Sequence, residues 1–223
     1  MLVQIPNVLN EQEVETVLRA LSQSAYEDGR VSAGLLARDI KNNLQAKRDA
    51  DVVRKCGPMI LEALRRNGTF YTAALPHRVH GPMFNRYDVG MTYGLHVDNA
   101  IMGEHGAGVR SDVSATLFLS APDQYDGGEL VIQEHSSEKR IKLPAGSMVV
   151  YSSTNAHRVE PVRRGTRLAI IFWIQSMVRD EPKREILFDL SELLAAVRQK
   201  LAPEEIMALT AVYHNLLRTW AET

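Results

Sequence analysis

Residues 86–99 read Arg-Tyr-Asp-Val-Gly-Met-Thr-Tyr-Gly-Leu-His-Val-Asp-Asn, and the stretch closes on His96-x-Asp98. On an extended chain the side chains at i and i+2 point to the same side, so this imidazole and carboxylate share one face. An ordinary helix would not bring them together. Working outward, eight runs are predicted as extended: 83–89, 92–97, 112–120, 129–133, 140–143, 147–152, 157–162 and 167–175. Turn chemistry separates several of them, at Asp126-Gly127-Gly128, Pro144-Ala145-Gly146 and Arg164-Gly165. Many short strands with frequent turns indicate a sandwich or barrel, and eight suits a jelly roll.

Helical patterns flank this β region. Asn10 followed by Glu13 predicts a capping box, after which Val14, Val17, Leu18 and Leu21 recur at helical spacing. Residues 27–34 read as a turn or loop. Residues 39–51, with Lys41, Lys47, Arg48 and Asp49, read as a solvated helix face or loop rather than a binding patch. A second helical stripe spans 51–66, and Gly57-Pro58 inside it predicts a kink or break. Asn67-Gly68 reads as its stop. After Asp180 one helix is expected over 186–201. A second opens at Pro203, with Glu204 and Glu205 in its first turn and Ile206, Leu209, Tyr213, Leu216, Leu217 and Trp220 as its apolar stripe. The expected architecture is mainly β with flanking helices, divided into an N-terminal helical support region (1–77), a β domain (78–178) and a C-terminal helical hairpin (179–223). That hairpin should pack on the barrel or join two copies in a homo-oligomer.

The 223 residues are enough for one substantial core. A 45% apolar and 24% charged composition is ordinary for a globular protein, and a net charge of −1 gives no reason to expect nucleic acid or an anionic membrane. Cys56 is the single cysteine, which rules out an internal disulfide and multi-cysteine metal sites. No signal peptide or membrane-spanning run is visible, so a cytoplasmic location is expected.

Seven histidines are present, at positions 77, 80, 96, 105, 135, 157 and 214. His96 stands out through its pairing with Asp98, and His157 because it opens an extended run after a turn, where a barrel presents side chains at its mouth. Two imidazoles and one carboxylate leave coordination positions open, which is the ligand set of non-haem Fe(II) oxygenases. His77-x-x-His80 is a rival pair, but a loop-like frame of Pro76 and Pro82 offers it no third ligand. Residues 102–108 are glycine-rich and expected to form a mobile loop beside the site, without the strand–loop–helix context of phosphate binding. Arg167 heads the run Leu168-Ala169-Ile170-Ile171-Phe172-Trp173, apolar enough to be buried on both faces. An arginine entering such a strand needs an anionic partner, and a dicarboxylate would supply one. Arg163 and Arg164 are expected at the surface.

The arrangement Arg86-Tyr87-x-x-Gly90-x-x-Tyr93-x-x-His96-x-Asp98, then Gly127-Gly128-Glu129-Leu130, then His157 and Arg167, resembles the Fe(II)/2-oxoglutarate-dependent dioxygenases of the prolyl/lysyl hydroxylase superfamily. It is most similar to the bacterial PKHD-type hydroxylases, along the whole chain. The resemblance implies a double-stranded β-helix with His96, Asp98 and His157 as iron ligands and Arg167 on the distal carboxylate of 2-oxoglutarate. It also implies Tyr87 as a hydrogen-bonding partner of that cosubstrate, Tyr93 near the reacting substrate, and L-ascorbate as a reductant. The implied reaction hydroxylates a prime substrate, peptidyl proline or lysine or a small molecule, using O2 and releasing succinate and CO2. Two other classes compete. A non-catalytic metal-binding or sensing barrel has no use for a dicarboxylate clamp at Arg167. An interaction protein built on the C-terminal stripe has no use for an intact ligand triad.

Overall fold

The computed structural model describes residues 1–103, 108–134 and 137–223, without the side chains of Leu35 and Leu36. Most of the glycine-rich 102–108 stretch, including His105, lies outside the described residues, as does His135. Among the described residues no helix is long and apolar enough to cross a membrane.

Each of the eight expected runs contains strand, and apart from Val162–Gly165, which pairs with Tyr125–Gly127, these divide between two antiparallel sheets. The seven-stranded sheet runs Leu2–Ile5, Met148–Ser152, Val113–Phe118, Arg167–Ser176, Pro76–Tyr87, Leu44–Ala46, Tyr26–Asp28. The five-stranded sheet runs Ser137–Ile141, Leu130–Glu134, His157–Val159, Thr92–His96, Lys41–Asn42. Tyr87, Phe118, Val149 and Tyr151 of the first pack against Leu130, Ile132, Ile141 and Val159 of the second. The result is a jelly roll with its cavity between the sheets.

Alternation along Arg167–Ser176 explains where that cavity lies. Ile170, Phe172 and Ile174 face a core shared with Val14, Val17 and Leu21 of helix Glu11–Ser22 and Val52, Cys56, Ile60 and Leu64 of helix Asp51–Arg66. Arg167, Ile171 and Trp173 face the other way and line the cavity. The strand is therefore buried on both faces, as its composition predicts. The capping box also forms: Glu13 N–H donates to Asn10 Oδ1 at 3.0 Å, and Asn10 N–H donates to Glu13 Oε2 at 2.9 Å.

Several expectations are corrected. Helix Asp51–Arg66 is not broken at Pro58, because its apolar stripe is anchored in the core on both sides of the proline. The strand expected from residue 83 begins at Pro76, so His77 and His80 sit on a strand rather than in a loop. Its register against Arg167–Ser176 shifts between Ile171 and Trp173, and this bulge takes Gly81 and Pro82 out of the ladder. The run 157–162 is two strands, His157–Val159 and Val162–Gly165, parted at Pro161, which has no N–H to give. Residues 39–51 are solvated only in part: Lys47, Arg48 and Asp49 are exposed as expected, but the stretch before them is not. That stretch supplies Lys41–Asn42 to one sheet and Leu44–Ala46 to the other, and Lys41, Asn43 and Gln45 are buried.

The C-terminal helices are Glu181–Val197 and Pro203–Trp220. Asp180 Oδ1 caps the first, accepting from Lys183 N–H at 3.0 Å. Tyr213, Leu216, Leu217 and Trp220 pack with Leu187 against Leu75 and Val178, so much of the expected stripe is spent on this chain itself.

Candidate active site

His96 ends strand Thr92–His96 and His157 opens His157–Val159, and the register sets the two directly opposite. Their ring centroids lie 4.3 Å apart. Asp98 follows two residues after His96, with its Oδ2 3.9 Å from His157 Nε2. One ligand atom from each of the three residues lies within 4.8 Å of the others.

The three are held from behind. Nδ1 of His96 faces the Gly94 carbonyl at 2.8 Å, and Nδ1 of His157 faces the Asn155 carbonyl at 3.0 Å. Donation to those carbonyls places the proton on Nδ1 and leaves Nε2 with a free lone pair. Ser114 Oγ donates to Asp98 Oδ2 at 2.6 Å and lies 2.7 Å from Ser153 Oγ. Burial, reinforced by the nearby His157, pushes the His96 pKa down to about 4, so its imidazole is neutral near pH 7 as a ligand must be.

Arg167 lies in the same cavity, opposite Tyr87 in the ladder and 1% exposed. Its guanidinium carbon sits 5.2 Å from the Tyr87 ring centre and 5.4 Å from that of Phe118. Among the described residues, Nε and both Nη atoms make no hydrogen bond of good geometry, and neither does the hydroxyl of Tyr125, although that hydroxyl lies close enough to the guanidinium to interact with it. Gly128 permits this placement: at φ +64° a Cβ there would come within 3.1 Å of Arg167 Cδ. Arg163 and Arg164 are exposed, and Arg164 pairs with Asp126 at 2.8 Å.

Burial pushes the Tyr87 hydroxyl up to about 12, and it raises Tyr93 and Tyr151 as well, so all three can donate hydrogen bonds near pH 7. Tyr93 stacks on His96 at 3.6 Å, and Tyr151 meets His157 edge-on at 5.2 Å. Every site residue expected from sequence thus borders one cavity. His77 and His80 do not join it.

Sequence reasoning missed Lys41, Ser114, Thr116, Tyr151 and Trp173. Trp173 carried a signal, since it lies on the Arg167 face of its strand by alternation. Larger clefts exist elsewhere, including one of about 580 Å³ lined by Arg19, Lys47 and Asp51, but among the described residues none assembles a three-ligand cluster.

The donor set, two imidazole nitrogens and one carboxylate oxygen with the remaining positions open, suits a non-haem Fe(II) centre. The unpartnered guanidinium beside it suits a chelating dicarboxylate, which it can grip through two parallel hydrogen bonds. Metal and cosubstrate of that kind therefore fit the residues present.

Residues 82–175 match the family model of the 2OG-Fe(II) oxygenase superfamily, and residues 181–222 match the PKHD-type hydroxylase C-terminal domain. The chain is 50% identical over 226 residues to a PKHD-type hydroxylase of Methylobacterium nodulans, with 100% of each chain covered. It is 51% identical over 227 residues to one of Cupriavidus metallidurans, again with 100% of each covered. A Pseudomonas putida prolyl-4-hydroxylase structure superposes with a TM-score of 0.52 at 20% identity, covering 78% of this chain and 92% of that one, a likeness of fold. Half of all positions shared from end to end is far more than a common barrel requires, and this chain belongs to the PKHD-type hydroxylases of the 2OG-Fe(II) oxygenase superfamily.

Proposed function

We propose that the protein is an Fe(II)- and 2-oxoglutarate-dependent dioxygenase in which His96, Asp98 and His157 hold the metal and Arg167 grips the distal carboxylate of 2-oxoglutarate. The observation that carries this reading is Arg167, a buried guanidinium without a hydrogen-bond partner among the described residues, in one cavity with the three-ligand cluster. A buried charge left so is costly, and a dicarboxylate answers it.

When bound, iron and 2-oxoglutarate supply the oxidising power that hydroxylates a C–H bond, with succinate and CO2 as co-products. The chain's own residues supply the rest. The Gly94 and Asn155 carbonyls fix the two imidazoles, and Ser114 fixes the Asp98 carboxylate. Tyr87 keeps its proton and donates toward the cosubstrate end of the cavity. Tyr93 shields the His96 ring and sits on the side where the prime substrate enters. Leu130, Val159 and Ile171 exclude water.

Residues 78–178 carry most of the chemistry, 1–77 supply the supporting helices together with strands at the edges of both sheets, and 179–223 close one end or join two copies. L-Ascorbate serves as external reductant, O2 is the co-reactant, and the prime substrate is peptidyl proline or lysine or a small molecule. A cytoplasmic location accompanies this reading, motivated by the single cysteine, Cys56, which is free and buried.

The test is anaerobic titration with Fe(II) and then 2-oxoglutarate, followed by air and a succinate measurement. Wild type should bind both and release succinate, and His157→Ala should lose iron. No 2-oxoglutarate binding in iron-loaded wild type, or equal iron affinity in the two proteins, sinks the proposal.

A further inference from the structure

Lys41 is a buried cation that this chemistry leaves unused. It is 6% exposed, on a strand that joins the five-stranded sheet opposite Tyr93. Its ammonium lies 5.0 Å above the Tyr93 ring centre. Of the three hydrogen bonds it can donate, one is made among the described residues, to Ser32 Oγ at 2.9 Å. The two carboxylates whose fields reach it are engaged elsewhere: Asp28 pairs with Arg30, and Asp98 belongs to the ligand cluster.

A second donor belongs to a residue on the same cavity lining. Trp173 is 6% exposed, and its Nε1–H has no partner among the described residues. Lys41 and Trp173 border both the cavity at the cluster and a narrow adjoining cleft, which Ser32, Gly34 and Asn99 line together with His96 and Asp98. Arg167 borders only the first. It lies six positions before Trp173 on one strand, roughly 20 Å of extended chain, so the two side chains leave the cavity wall at well-separated points.

Charge matching separates the two ends. On the proposed reading, Arg167 and a divalent metal are balanced by Asp98 and a doubly charged cosubstrate. The Lys41 charge is left over, at the end where a prime substrate enters.

We propose that Lys41 is a specificity-determining residue that receives the carboxylate of the prime substrate, with Trp173 Nε1–H as a second donor, so that the substrate is a small organic acid. This rests on the proposed function. A narrow cleft lined by an ammonium and an indole N–H pairs more strongly with an anionic oxygen than with the neutral carbonyl of an amide.

The test uses Zn(II)-substituted protein, with and without saturating 2-oxoglutarate, screened by ligand-observed NMR against matched N-acetyl amino acids and their N-methylamides. Acids should bind, with their amides weaker by about tenfold to a hundredfold. Lys41→Met should abolish that preference, and Lys41→Arg, which keeps the charge, should retain it. Melting curves check that both variants fold. Amides that bind as well as acids, no acid bound by wild type in either state, or a preference that survives in Lys41→Met overturns the proposal. Affinity for 2-oxoglutarate is read in the same samples. Its absence in wild type sinks the function proposed above, while the comparison without 2-oxoglutarate still judges Lys41. Its loss in Lys41→Met assigns the lysine to the cosubstrate and overturns the proposal.

Discussion

Replacing Arg167 by methionine should make the ligand-free protein more stable and the cosubstrate complex much weaker. The side chain is 1% exposed, and three guanidinium nitrogens have no hydrogen-bond partner among the described residues. Burying three such donors unsatisfied costs about 1–3 kcal/mol each, or about 6 kcal/mol together. The Tyr87 and Phe118 faces, desolvated with it, return about 2 kcal/mol each. Methionine keeps an apolar stem in the same space, so the net gain is about 2 kcal/mol. For a chain of this length that is about 4–8 °C in Tm. Binding moves the other way. Removing one member of a buried charge pair costs about 2–5 kcal/mol, which weakens 2-oxoglutarate about 30-fold to several thousand-fold. Arg167→Lys keeps the charge, loses the fork, and should fall between. The assay is thermal melting of Zn(II)-loaded protein across a 2-oxoglutarate titration, backed by calorimetry. Ligand that binds only the folded state raises Tm with concentration in wild type, and that response should be strongly reduced in Arg167→Met. A variant that melts lower than wild type yet binds 2-oxoglutarate equally would show that Arg167 holds the fold and that the clamp lies elsewhere.

Four further outcomes follow from the packing. Ser114→Ala removes the hydroxyl that orients Asp98 and should weaken metal binding about 10- to 100-fold in a chelator competition; an unchanged affinity means that Asp98 is held some other way. Burial lowers the Lys41 pKa from 10.5 to about 8, so between those values the unfolded chain holds a proton that the folded chain has released. Lys41 should therefore add a rising component to stability across that window. Stability should rise more, or fall less, with pH in wild type than in Lys41→Met, where Cys56 and the buried tyrosines still titrate; denaturation at both ends checks the difference, and identical slopes in the two proteins refute it. Leu187→Ala, at a fully buried position under the C-terminal hairpin, should cost about 2–5 kcal/mol in urea unfolding, and a loss well below that range would show that the hairpin is not docked there. Pro58→Ala restores an N–H inside helix Asp51–Arg66 and should stabilise the protein by about 1–2 kcal/mol after the looser unfolded state is allowed for; a lower urea midpoint refutes this.

The candidate site was legible because it sits on strands or, like Asp98, just past the end of one, where an alternating pattern reports facing directly. His96-x-Asp98 needed only that rule, and Arg167 needed only the apolar run behind it. Sequence reading failed where burial is decided by a distant partner. Lys41 looks like one charge among several until strand Thr92–His96 supplies its sheet edge and Tyr93 its cover. Pro58 looks like a breaker until the core holds the helix on both sides of it. Pro82 hides the first half of its strand because a bulge absorbs it, and only the pairing with Arg167–Ser176 shows where. Ser114 is one buried residue in a fully buried strand, and its bond to Asp98 bridges sixteen positions of sequence.

The strand that carries Arg167 also sets limits on change. Ile170, Phe172 and Ile174, the residues behind its cavity face, are all 0% exposed, and a close-packed interior does not stretch. That wall cannot retreat to admit a bulkier guest. The opposite rim is thinner: the turn Gly29–Ser32, a four-residue helix at Leu35–Arg38, and a two-residue strand at the sheet edge. A descendant lineage can rewrite that rim, lengthening it or exchanging its side chains, without disturbing the barrel that makes the molecule fold. Inheritance is thereby split: the wall passes on the reaction, and the rim is where a new appetite can be acquired.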